Sequence, residues 1–222
     1  PCTIAQIRAY KPQSSSLGCG QMLHCPYTAD KARIVVQEMI DGISLELVEK
    51  RLVTDQLVLT VGYDIENLTR PEIRKVYKGP VTTDRYGRRV PKHAHGTWNL
   101  SRATSSSSEL LEAMAALYDK IVNPALLIRR MSLSACHVVN EKMAKEREQK
   151  ETFEQLDLFT DYAKKEAKEK EEQKKRERER RMQEALLTIK KKYGKNAVLR
   201  GMNFEEGATA KERNGQIGGH QA

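Results

Sequence analysis

Asp55-Gln56-Leu57-Val58-Leu59-Thr60-Val61-Gly62-Tyr63 decides how the first 140 residues fold. Leu57, Leu59 and Val61 fall on one side of an extended chain, and Gln56, Val58 and Thr60 on the other. Period-two alternation of this kind predicts a strand with one buried face. Something in the chain must cover that face, and the preceding segment suits it. From Asp30 to Leu52, Ala32, Val35, Val36, Met39, Ile40 and Ile43 recur every three to four residues, the spacing of one buried helix face. Thr28 or Asp30 is placed to cap the start of this helix. Gly42 weakens its middle and predicts a kink or break there.

The same reading extends outward. Ser16–His24 predicts an early strand. A loop with Asn67 and Pro71 follows the deciding strand. Tyr77–Pro80 reads as loop, and Arg85–Leu100 as a second strand. Ser105–Val122 predicts a second helix, with a serine run to cap it and Leu110, Leu111, Met114, Leu117, Tyr118 and Ile121 as its apolar face; Pro124 follows. Leu126–Val139 is the last strand, with Leu127, Arg129, Met131, Leu133 and Ala135 expected on one face and Ile128, Arg130 and Ser132 on the other. The order strand, helix, strand, strand, helix, strand gives an α+β fold: a four-stranded sheet from two βαβ halves, with two helices on one face. The other face has no helix to cover it and is free to meet a partner.

From Glu141 the composition changes. Residues 163–193 are a long charged helix carrying the acid-first pairs Glu166–Lys170, Glu171–Lys175, Glu172–Arg176 and Glu177–Arg181, each a few tenths of a kcal/mol in an isolated helix. Only its end has an apolar stripe, Met182, Ala185, Leu186, Ile189 and Tyr193, which is expected to face the domain or another chain. Gly194 ends the helix. Residues 194–222 read as an irregular tail whose glycines neither follow a strand nor open a helix, so they are not a nucleotide-binding loop. Within the preceding 141–162 linker stands Gln155-Leu156-Asp157-Leu158-Phe159, an apolar cluster among charged neighbours that cannot bury it. Such a cluster in a solvated segment is suited to a pocket on another molecule.

The 222 residues are 39% hydrophobic and 31% charged, with a net charge of +9, which fits one cored domain plus a polar extension. Residues 1–140 hold 18 Lys and Arg against 13 Asp and Glu, and the remainder 21 against 17. That excess permits a polyanionic partner without demanding one. Cys2, Cys19, Cys25 and Cys136 form no Cys-x-x-Cys pair, and His93 and His95 lack a third ligand nearby, so the expectation is free thiols in a reducing cytoplasm and no metal. Around His93 and Cys136 no nucleophile–base–orienter set can be named, which argues against a hydrolase. No apolar run is long enough to span a membrane. The chain begins at Pro1, and Cys2–Tyr10 reads as the end of something longer; a fragment is expected.

Four stretches resemble the little-finger domain of Y-family DNA polymerases, the translesion enzymes. Lys11-Pro12-Gln13-Ser14-Ser15-Ser16-Leu17-Gly18 is similar to the link into the first strand, and Thr54-Asp55-Gln56-Leu57-Val58-Leu59 to the second strand. Arg85-Tyr86-Gly87-Arg88-Arg89 is similar to the lead into the third, and Ile128-Arg129-Arg130-Met131-Ser132-Leu133 to the last. Gln155–Phe159 resembles the bacterial sliding-clamp-binding motif, in which Gln bonds at the pocket rim and Leu-Phe fills an apolar hole. With Lys191-Lys192-Tyr193-Gly194-Lys195-Asn196 and the tail, the whole chain looks like the C-terminal part of a bacterial UmuC-like member.

The resemblance implies error-prone translesion synthesis in DNA repair, damage tolerance and the SOS response. It implies sequence-independent binding of primer-template DNA, with phosphate contacts at Lys11, Ser15, Arg88, Arg89, Lys92, Arg129 and Arg130. Because Arg129 and Arg130 are adjacent in a strand, only one of them is expected to reach DNA. The clamp contacts would be Gln155, Leu156, Asp157, Leu158 and Phe159. The catalytic carboxylates and their Mg²⁺ belong to the palm upstream, so no catalytic residue and no cofactor is expected here, and the chain is expected to be a monomer. The domains expected are 1–140 little-finger-like, 141–162 flexible linker with the clamp motif, 163–193 charged helix and 194–222 tail. The competing reading is a non-enzymatic adaptor that assembles through its long helix.

Overall fold

The computed structural model describes residues 3–9, 15–84, 86–151, 162–217 and 220–221. In chain order the elements are α1 (Ile4–Ala9), β1 (Leu17–Tyr27), α2 (Ala29–Lys50), β2 (Leu52–Tyr63), α3 (Glu66–Thr69), α4 (Pro71–Val76), β3 (Val81–Thr83), β4 (Arg89–Pro91), β5 (Ala94–Thr104), α5 (Ser107–Ile121), β6 (Ile128–Cys136) and β7 (Val139–Asn140). Then come α6 (Glu141–Glu151), α7 (Tyr162–Tyr193), a 3₁₀ turn (Gly201–Phe204), α8 (Ala210–Arg213) and a small β8–β9 hairpin (Gln216–Ile217, His220–Gln221).

The main sheet runs β1-β6-β2-β5, antiparallel throughout, with β7 pairing the start of β2. β1 and β2 are therefore parallel to each other with β6 between them, and β5 and β6 are parallel with β2 between them. The helices α2 and α5 are the two crossovers, so two split βαβ units interdigitate in one sheet. Both helices lie on the same face. Leu57, Leu59 and Val61 of β2 are buried there against Val36, Met39, Ile40 and Leu47 of α2 and Leu110, Met114 and Leu117 of α5, in one continuous core. The α+β architecture expected from the sequence is the one observed.

Three local expectations are corrected. Thr28 precedes α2 in an extended conformation but makes no side-chain cap; its carbonyl accepts from Ala32 N instead. Gly42 does not break α2, which runs 22 residues to a left-handed Arg51. In β6 simple alternation fails. Gly62 pairs with Arg130 while Tyr63 pairs with Ile128, so Arg129 is an extra, bulged residue. Ile128 is consequently buried beside Met131, Leu133 and Ala135, on the face opposite to the one expected for it.

The stripe on α7, expected to face the domain or another chain, is split. The helix docks on the domain through a mixed side on which Leu186 and Leu187 are half-buried among polar residues. Gln183 is 2% exposed and donates to Ser105 O (3.0 Å) and Ser107 Oγ (2.8 Å). Glu179 accepts from Ser106 Oγ, Ser108 N and Ser108 Oγ at the start of α5. Arg180 reaches Ser105 and Glu141, and Lys191 reaches Glu49. Met182, Ile189 and Tyr193 face outward, Tyr193 being 67% exposed. Of the four acid-first pairs, Glu172–Arg176 closes at 3.2 Å. The first eleven residues after Asn140, expected to be linker, are helical as α6.

The tail folds back along α2. Glu38, 5% exposed, accepts from Asn203 Nδ2 (2.8 Å), Thr209 N (2.8 Å), Thr209 Oγ1 (3.2 Å) and Ala210 N (3.0 Å). Arg200 Nη2 lies 2.8 Å from Asp41 Oδ1, whose carboxyl burial pushes above the usual range while Arg200 pulls it back. Thr209 and Arg213 both bond Gln21 of β1.

Candidate nucleic-acid interface

The sheet face opposite α2 and α5 is assembled from the off-face positions of four strands. Register places Gly18, Ser134, Val58 and Thr97 in one row, and Gly20, Ser132, Thr60 and His95 in the next. A third row holds Met22, Arg130 and Gly62, and beyond the first lie Cys136, Gln56 and Asn99. Gly18, Gly20, Met22, His95, Thr97, Asn99, Arg130 and Ser132 are exposed. The alternation that sends Met131, Leu133 and Ala135 inward sends these residues outward. Thr60 Oγ1 and His95 Nδ1 are 2.9 Å apart, and Gln56 Nε2 donates to Asn99 Oδ1 at 2.9 Å. The result is a flat platform of glycines, hydroxyls and amides, low enough for a ligand to approach the backbone. Among the described residues it carries one cation, Arg130.

At one end of the platform a cleft of about 830 Å³ opens between β6, the end of β2 and the β3–β4 hairpin. Arg88, Arg129, Arg130, His93, Asp64 and Asp84 line it. The bulge puts both Arg129 and Arg130 on this cleft, where strict alternation allows only one. Their charges are in different states. Arg129 donates to His24 O at 3.0 Å and lies 3.7 Å from Asp64 Oδ2. Arg88 is held 2.8 Å from Asp84, whose carboxyl is pulled below its usual range chiefly by the Arg88 backbone N–H, with the guanidinium adding to it. Arg130 has no ion-pair partner among the described residues.

The remaining expected contacts are more scattered. Arg89 and Lys92 are exposed at and just after β4, outside the cleft lining. Ser15 is exposed just before β1, and its carbonyl accepts from Val138 N. Lys11 and all of Gln155, Leu156, Asp157, Leu158 and Phe159 lie outside the described residues. Thr60, His95, Thr97, Ser132 and Ser134 join the open face without being among the expected contacts. The signal was present, since each occupies the polar phase of an alternating strand.

Among the described residues no three His, Cys, Asp or Glu side chains gather as a metal-binding group. No helix among them is long and apolar enough to cross a membrane.

No family model matches the sequence, and no curated protein matches it either. Among solved structures the chain is similar to one described as "Complex of beta-clamp processivity factor and little finger domain of PolIV". The identity is 8%, the match covers 66% of this chain and 100% of the other, and the TM-score is 0.34. A likeness at that level carries no argument about function.

Proposed function

We propose that this chain binds the sugar-phosphate backbone of duplex DNA through the open sheet face and its end cleft, as the non-catalytic C-terminal part of a translesion DNA polymerase. The observation that carries the reading is the helix-free platform of small hydroxyl and glycine residues with Arg130 at its edge. Hydroxyls, backbone N–H groups and arginine are the groups that hold phosphates without reading bases. Among the described residues the platform carries no Phe, Tyr or Trp, and its one ring, His95, is tied to Thr60, which favours duplex over single strands. Arg88, Arg89, Lys92 and Arg129 stand around the same end and would extend the contact along the duplex. The primer-template as ligand follows from the sequence resemblance, as do the SOS role and the sliding clamp held through Gln155–Phe159.

The test is fluorescence anisotropy of a labelled duplex with the full chain across a salt series. Affinity should fall steeply, with a log–log slope of roughly −0.9 for each phosphate neutralised. Salt-independent binding, or none, sinks the reading. The clamp half is tested separately with a labelled peptide spanning residues 152–162 against a bacterial sliding clamp. Saturable binding should disappear when Leu158 and Phe159 are replaced by Ala.

One observation favours a second reading. Met182, Ile189 and Tyr193 present an uncovered apolar row, as an adaptor assembling through its long helix would require. Light scattering separates the two, because assembly through α7 gives a mass that rises with concentration and the DNA reading gives a monomer.

A further inference from the structure

We propose that Gly62 is a positioning residue for DNA binding: by lacking a side chain it holds Arg130 flat across β2, at the junction of platform and cleft. The inference rests on the DNA reading above and identifies what aims the platform's arginine, which has no ion-pair partner among the described residues.

The geometry is specific. Gly62 is the cross-strand partner of Arg130. A Cβ built on Gly62 would lie 2.6 Å from Arg130 Cγ, 2.7 Å from Nε and 3.1 Å from Cδ. The body of the arginine therefore occupies the space that any other residue would fill at position 62. Three of its side-chain atoms are involved, beginning at Cγ, so a flexing tip cannot relieve the clash and the whole side chain must change rotamer. Gly62 does not have a positive φ. Its backbone conformation is open to any residue, so turn chemistry does not explain a glycine here. A glycine inside a strand lowers strand stability and marks a close approach. The approaching group here is Arg130.

The bulge supplies the second half of the arrangement. With Arg129 as the extra residue, Arg130 returns to the open face directly opposite Gly62. Met22 stands on its other side in β1. Laid over β2, the guanidinium is held near the sheet surface, beside the hydroxyl rows and facing the cleft. A side chain pre-set in this way loses less rotamer freedom when it meets a phosphate. Freed by a methyl group at 62, Arg130 would keep its charge but lose its orientation.

The test is a double-mutant cycle on the full chain, read by duplex anisotropy at several salt concentrations, with melting temperatures measured alongside. Arg130→Gln should weaken binding about tenfold at low salt and reduce the salt slope by roughly 0.9. Gly62→Ala should reproduce most of that loss. The pair combined should be no worse than Arg130→Gln alone, because both changes remove one interaction. Gly42→Ala, on the opposite side of the molecule in α2, should leave affinity unchanged. A Gly62→Ala protein that binds like the parent while Arg130→Gln is weakened overturns the positioning role and leaves the DNA reading intact. Losses that simply add overturn it too, since they assign position 62 a separate effect. A parent chain that fails to bind duplex overturns both. Arg130→Gln alters an exposed side chain and folds irrespective of what the methyl at 62 does, so the cycle retains a reference if Gly62→Ala lowers the melting temperature.

Discussion

Glu38 is the residue on which the tail depends. It sits in the middle of an apolar helix sequence, between Val36 and Met39, where the helical pattern alone gives it to solvent. Instead it is buried and accepts from a side-chain amide, a hydroxyl and two backbone N–H groups that lie 165 to 172 positions along the chain. Partners so distant leave no trace in local periodicity. Glu38→Ala would strand buried donors without an acceptor. Each such loss costs more than a hydrogen bond is normally worth in net terms, and donors to a charged group cost most. Thermal or urea unfolding should show the domain destabilised by about 2–4 kcal/mol, with the tail becoming protease-sensitive first. Arg129 and Arg130 illustrate the opposite limit at the same scale. Both were candidates for phosphate contact from the sequence. Their shared placement was not legible there, because a bulge adds a residue without changing composition.

Among the elements, α7 departs furthest from what its amphipathic pattern predicts. A helix docking by hydrophobic burial would turn Met182, Ala185, Ile189 and Tyr193 inward. This one turns Gln183, Glu179 and Arg180 inward, because the surface it meets is the serine-rich start of α5, whose free N–H and hydroxyl groups need acceptors and donors more than apolar cover. Alternation and three-to-four periodicity identified β2, α2 and α5 correctly, since those elements bury apolar faces. They failed for α7 because its docked side mixes polar groups with the half-buried Leu186 and Leu187 and leaves the rest of the stripe outside. The consequence is measurable. Gln183→Ala should destabilise the domain by about 1–3 kcal/mol, whereas Met182→Ala with Ile189→Ala should change unfolding by no more than about 0.5 kcal/mol. The reverse ranking would mean that α7 docks through its apolar stripe after all. The uninterrupted α2 carries the same lesson in milder form. Gly42 has no neighbour within 4 Å of a notional Cβ, and the packing of the rest of the helix overrides one residue's poor propensity.

At the scale of the molecule, two helices on one face and a bare second face were legible from element order alone. The strand order β1-β6-β2-β5 was not, because period-two patterns say which face is buried and nothing about neighbours. The candidate site divides in the same way. The bare face follows from topology, and its hydroxyl rows follow from register, which only the folded chain reveals. The tail gives the assembled molecule a history as well as a shape. A ribosome adding 5–20 residues per second makes Thr209 on the order of 10–30 s after Glu38. During that interval the sheet and both its helices can close, while the carboxylate meant for the tail still faces water. Residues 203–210 are then the clasp that closes over it. A chain lacking them would keep its open sheet face but leave the Glu38 carboxylate without its four donors, an unmet negative charge on the helical side.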